Sequence, residues 1–293
     1  MTIHVNLNAL LERVHDHLDS SGFRKHAASF DRRPLIRIAN SLGGPQMKLI
    51  HWKRLVELGR IPHSDEGHAV EAISGIDTYG APKVEIIMVS HRWLRPSLNR
   101  LMAHPDLSDN RKAKAINEFS DWRRKWVLHK HGFLPEIYYW IDFPCIDQRN
   151  PSAAVPLLPM WVACCERFLR IDTEGYDSRA WCRLEPLLSY MYSFADHHLS
   201  IDLSYNCTWP DTGIETRLPI LNPIDADTTL PEDHQLISRL TRLATTAEPA
   251  HAAHMSVIFG GTTIKCFKLQ SPTTPMWHNK AVNPSGGSGG FRN

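Results

Sequence analysis

The near-continuous apolar run from Val84 to Val89, rich in branched residues and bounded by Pro82 and His91, sets the tightest limit on the fold. Branched residues favour a strand, and the lack of an apolar/polar alternation means that both faces of that strand are covered. Two further segments read as strands, Ile137 to Ile141 and Arg167 to Ile171. Between the first two, the strongly charged stretch from Arg95 to His131 carries Phe119, Trp122, Trp126 and Val127 as an apolar stripe. It predicts a long helix stopped at Gly132. Pro156 to Cys165 predicts a short helix before the third strand, and Leu187 to Phe194 another after it. Strands alternating with helices predict an α/β domain, a parallel sheet with crossover helices.

Outside this core the organisation is looser. Leu7, Leu10, Leu11, Val14 and Leu18 lie at helical spacing, ending near Ser20-Ser21-Gly22, and a second helix is expected from about Gln46 to Gly59. Residues 1–82 therefore read as an N-terminal helical lead-in packed on the core at 83–198, and 199–283 as a C-terminal extension. In that extension 208–230 reads as loop, 234–247 as helix, and 254–269 as strands around Gly260-Gly261. Residues 284–293, with Ser and Gly dominant, read as a flexible tail.

Among 293 residues, 42% hydrophobic and 22% charged, a net charge of +2 gives no clustered basic surface for nucleic acid or an acidic membrane. No run approaches a membrane span and the first residues lack a secretory pattern, so a cytoplasmic protein is expected. The six cysteines form no CxxC pair and are expected as free thiols; the sequon Asn206-Cys207-Thr208 is then idle. His251 with His254, and His197-His198, lack a spaced third ligand, so no metal is expected. Gly43-Gly44 and Gly260-Gly261 lack the spacing of a phosphate loop.

Three short patterns fall in order within the core. They are Val84-Glu-Ile-Ile-Met-Val-Ser-His-Arg-Trp93, Tyr138-Tyr-Trp-Ile-Asp-Phe-Pro-Cys-Ile-Asp-Gln148, and Tyr176-Asp-Ser-Arg-Ala-Trp-Cys-Arg-Leu-Glu185. The first resembles the opening strand of a TIR-type domain with its following Ser and Arg. His131-Gly-Phe133 leading into Trp140-Ile-Asp142 is similar to the TIR glycine turn and the strand that ends in Asp. Trp140 to Gln148 also resembles a motif of the fungal heterokaryon-incompatibility (HET) domains. The third pattern resembles the TIR serine, tryptophan, cysteine, glutamate motif, with Trp181 and Glu185 at the family's separation. The resemblance covers residues 83–198 and implies a flavodoxin-like fold. The segment between the first two strands is longer than in a usual TIR domain, and Pro186 directly follows Glu185.

For activity, the resemblance implies cleavage of the nicotinamide–ribose bond of NAD, with NAD as substrate and no cofactor. The leaving nicotinamide is cationic in the substrate and departs neutral, so no acid is required. One ionised carboxylate can stabilise the oxocarbenium-like ribose or trap it. On this expectation Glu185 is that carboxylate, Trp93 stacks on a base, and Arg92 pairs with a phosphate. Ser90, His91, Asp142 and Trp181 line the same edge, Asp142 as a ribose hydroxyl acceptor.

Plainer roles stand beside each of these. Glu185 suits the first turn of a helix by the dipole alone, Trp93 and Trp181 suit packing, Arg92 suits an ion pair, and Asp142 and Asp147 suit turn capping. Cys182 reads as an inert buried thiol. A signalling or incompatibility module acting through self-association as a homo-oligomer, without chemistry, competes with the enzyme. So does an enzyme of a specialised pathway acting on another nucleotide or nucleoside.

Overall fold

The computed structural model describes residues 7–18, 20, 31–80, 83–97, 103–193, 198–203, 220–246, 256–259 and 262–265. Elements in chain order are α1 (Leu7–Leu18), α2 (Arg33–Ser41), β1 (Lys48–His51), α3 (Trp52–Leu58), β2 (Val70–Glu71), α4 (Ala72–Tyr79), β3 (Val84–His91), α5 (Arg111–His131), β4 (Glu136–Trp140), α6 (Asp142–Cys145), α7 (Leu158–Cys164), β5 (Arg167–Asp172), α8 (Ala180–Tyr192), β6 (His198–Asp202), α9 (Pro231–Thr246), β7 (Ser256–Phe259) and β8 (Thr262–Lys265), with short 3-10 turns between them. The main sheet has the order β2-β1-β4-β3-β5-β6. Strands β4, β3, β5 and β6 run parallel, and β1 joins antiparallel through Ile50 opposite Tyr139. Numbered in chain order, the parallel strands lie 2-1-3-4 across the sheet.

The α/β expectation holds as a mostly parallel mixed sheet flanked by helices. Alternation along β3 sends Val84, Ile86 and Met88 into one apolar layer and Ile87 and Val89 into the other. The first layer is closed by Leu10, Leu11, Val14 and Leu18 of α1 together with α2, α7, α8 and α9; the second by α3 and by Ala113, Ile116 and Phe119 of α5. That is why β3 reads as continuously apolar: each face meets its own helices.

Several expected boundaries shift. The segment expected as a helix over 46–59 is β1 followed by α3, because Leu49 and Ile50 feed opposite apolar layers and the chain adds to the edge of β4. The long helix stops at Gly132 as expected and begins at Arg111, partway along the charged stretch. Pro96 and Pro105 interrupt that region, and Arg95 pairs instead with His104 through backbone bonds of 3.1 and 3.0 Å. The Asp106 carboxylate then caps α5, accepting the N–H groups of Lys112 and Ala113 at 3.0 Å each. After Ile141 the chain forms the short α6, closed by Gln148, whose side-chain amide donates to the Asp142 and Ile146 carbonyls at 2.9 and 3.1 Å. β6 has no counterpart among the expected strands. β7 and β8 form an antiparallel pair around Gly260-Gly261 as expected. The 208–219 part of the expected loop, the sequon, His197, His251, His254 and the tail lie outside the described residues.

Candidate functional site

The connection after β3 leads to β4 on one side, and that after β5 leads to β6 on the other. Chain segments leaving the carboxyl ends of two such strands diverge, and in open α/β sheets ligands bind in the crevice at this reversal. Ser90 lies near the end of β3, and Tyr176 lies in the turn after β5.

Period-two alternation then separates the neighbours Ser90 and His91. Ser90 faces α8, where its hydroxyl donates to Glu185 Oε2 at 2.5 Å and also bonds the Tyr176 hydroxyl. A serine carries one proton, so with Ser90 donating to Glu185 the Tyr176 hydroxyl must donate to Ser90. Burial holds Tyr176 well above the usual phenol range, which keeps it a donor. Its ring is held in turn by the Arg170 guanidinium, 4.1 Å from the ring centroid and paired with Asp172 and Asp177.

Glu185 sits in the second turn of α8, which opens at Ala180; a dipole role in the first turn therefore does not account for it. Pro186 lies inside the helix, where it removes the N–H that would meet the Cys182 carbonyl. The Glu185 residue keeps partial contact with solvent, but its carboxyl is crowded. Burial, with the Asp142 charge adding, raises its pKa to about 8 against the opposing Ser90 bond. Among the described residues no cation pairs with it. The Cys182 thiol, buried beside it, is held well above its usual range first by burial and then by Glu185, as an inert thiol would be.

His91 faces α5. Its Nε2 lies 3.0 Å from Asp142 Oδ1 and its Nδ1 lies 3.3 Å from Lys112 Nζ. Lysine has no acceptor, so Nδ1 accepts and Nε2 carries the proton toward Asp142. Burial and the Lys112 charge hold His91 below its usual pKa, which keeps the ring neutral. Lys112 is fully buried, and burial lowers its pKa to about 8; its ammonium also donates to the Pro105 carbonyl at 2.8 Å and to the Arg92 carbonyl. Trp93 Nε1 donates to Asp142 Oδ2 at 2.7 Å, and its ring meets Phe143 edge-on at 5.3 Å. Burial alone would push the Asp142 carboxyl up, but His91 and Trp93 outweigh it and the pKa falls below the ordinary value.

Family models, curated proteins and solved structures yield no match to the chain. The site is therefore defined by its own geometry.

Ser90, His91, Trp93, Asp142 and Glu185 meet at one sheet edge, in two hydrogen-bonded groups on either side of β3. Arg92 lies beside the turn after β5, donating to the Glu174 carbonyl at 2.7 Å. Its guanidinium occupies the space a side chain at Gly175 would need, and Gly175 has a left-handed φ of +70°. Trp181 is not brought to Glu185: its Nε1 donates to Asp233 Oδ2 of α9 at 2.9 Å, tying the core to the extension. Asp147 takes the turn-capping role, accepting Arg149 N–H at 2.9 Å. Sequence reasoning missed Tyr176, Lys112 and Arg170. Tyr176 opens the third pattern and was legible as a hydroxyl near Glu185; Lys112 lies in a run of charges that resembles a solvated face, and nothing local marks it as buried. Among the described residues no group of His, Cys, Asp and Glu is placed to hold a metal ion, and no helix is long and apolar enough to cross a membrane.

Proposed function

We propose that the chain is an N-glycosidase that breaks the base–ribose bond of a nucleotide, with Glu185 answering the positive charge that develops on the sugar. The observation that carries this is the Ser90-bound carboxyl of Glu185, unpaired with any cation among the described residues, at the reversal of strand order. The 2-1-3-4 order of the parallel strands agrees with the first four places of the flavodoxin-like order 2-1-3-4-5, which supports the TIR and HET resemblance. NAD is the substrate that resemblance favours. A cationic nicotinamide riboside brought against Glu185 lowers the carboxyl pKa from about 8, so binding ionises the group just where the oxocarbenium charge appears. Trp93, held by Asp142, offers a ring to the base, and Arg92 a guanidinium to a phosphate.

Incubation of purified protein with NAD, NADP, ATP and simple nucleosides, with free base read by chromatography, tests this directly. Base release abolished in Glu185→Ala supports it; full activity in Glu185→Gln removes it. One observation favours the self-association module: Leu128, Phe133 and Leu134 are exposed together around the end of α5. Concentration-dependent assembly without base release, lost on Phe133→Ser, would decide for that reading.

A further inference from the structure

Two carboxyl groups flank the end of β3, and their surroundings are unlike. Asp142 receives ring N–H donors from His91 at 3.0 Å and Trp93 at 2.7 Å, both aimed at an anion. Glu185 receives one hydroxyl, from Ser90 at 2.5 Å. Where two acids lie near each other in such different settings, they divide into a proton donor and an ionised partner.

We propose that this site also cleaves N-ribosides of neutral bases, with Glu185 protonating the departing base and the Asp142 carboxylate stabilising the sugar cation. The inference rests on Glu185 as the working carboxyl, as proposed above, and extends its substrates from cationic to neutral leaving groups. Adenine leaving a neutral riboside takes the bonding pair and departs as an anion unless it gains a proton. As the C1′–N bond breaks, its electron pair goes to the base nitrogen and the Glu185 proton goes to the base. Water oxygen then bonds to C1′, and the proton it loses returns to the Glu185 carboxylate. Water is the only co-reactant, and the products are the free base and ribose or its phosphate.

The groups facing Glu185 allow this state. Ser90 comes from β3, Asp142 from the start of α6, Tyr176 from the turn after β5, and Cys182 from one turn earlier on α8. Tyr176 and Cys182 stay neutral, because burial raises both well above their ordinary values. Lys112, a cation close enough to act on Cys182, is engaged by His91 and by the carbonyls of Arg92 and Pro105. With Oε2 taking the Ser90 hydroxyl, Oε1 is left to carry the proton.

AMP, adenosine and NAD are incubated with the full-length protein across a pH series spanning the Glu185 pKa of about 8, with adenine and nicotinamide quantified separately. Adenine release from AMP or adenosine is expected to fall about tenfold per pH unit above that value, while nicotinamide release rises toward it. Glu185→Gln is expected to lower adenine release by at least about 100-fold. The opposed pH limbs are read on the unaltered protein, so a folding defect in the variant leaves the test intact. Nicotinamide release with no adenine from AMP or adenosine at any pH overturns the proposal and leaves the NAD reading standing. No base from any substrate overturns both. Adenine release that increases through pH 8 overturns the acid role of Glu185.

Discussion

Replacing Glu185 by Gln removes a charge that the fold resists, and its effect on stability should run opposite to that of most buried substitutions. The carboxyl titrates at 4.5 in an unconstrained chain and at about 8 in the folded protein. Between those values the folded state holds a proton that the unfolded state has released. Stability therefore declines as pH rises, by about 1.4 kcal/mol per pH unit for this one group. The contribution is fully present below pH 4.5 and lost above pH 8, about 5 kcal/mol in all. At pH 7 roughly 3 kcal/mol of it is gone. Glutamine has no proton to lose, and its carbonyl can still accept from Ser90. The variant and the parent should then be similarly stable below pH 4.5, and the variant should pull ahead steadily until a plateau near pH 8. Urea denaturation followed by circular dichroism at successive pH values measures the gap. Glu166, which burial raises to about 7, changes the absolute curves but cancels in the difference. A gap that stays constant with pH, or a variant less stable than the parent at pH 8, would refute the assignment of Glu185 as a neutral buried acid.

Other outcomes follow from the same geometry. Lys112→Met leaves the buried carbonyls of Arg92 and Pro105 short of a donor and should cost about 1–3 kcal/mol in urea denaturation; an unchanged midpoint would count against the clamp. Gly175→Ala should cost about 1–2 kcal/mol for its left-handed φ of +70° and displace Arg92 as well; Arg92→Ala in the same chain should recover only the displacement part. Nitrogen-15 spectra of His91 should show a neutral ring protonated at Nε2 at pH 7, because its pKa lies below the usual value, and an imidazolium there would contradict the Lys112 contact.

The covered strand at Val84–His91, the turn of phase at each proline and glycine, and the polar residues that end the strands are local properties, and composition and spacing were enough to read them. So were the α/β alternation and the placing of Ser90, His91 and Asp142 at strand ends along one edge, whereas Glu185 was singled out by the TIR resemblance. Partner choice was not legible. Whether residues 48–51 coil or extend depends on an open β4 edge contributed by residues 136–140. Whether Lys112 is a surface charge or a buried donor depends on carbonyls from residues 92 and 105. Trp181 and Glu185 share one helix, yet Asp233 of a distant helix takes the first and Ser90 takes the second. Side-chain spacing sets which faces a segment offers to its surroundings. Burial, and with it the protonation of a carboxyl, is set by groups far away in the chain that reach the same point only once the sheet has closed.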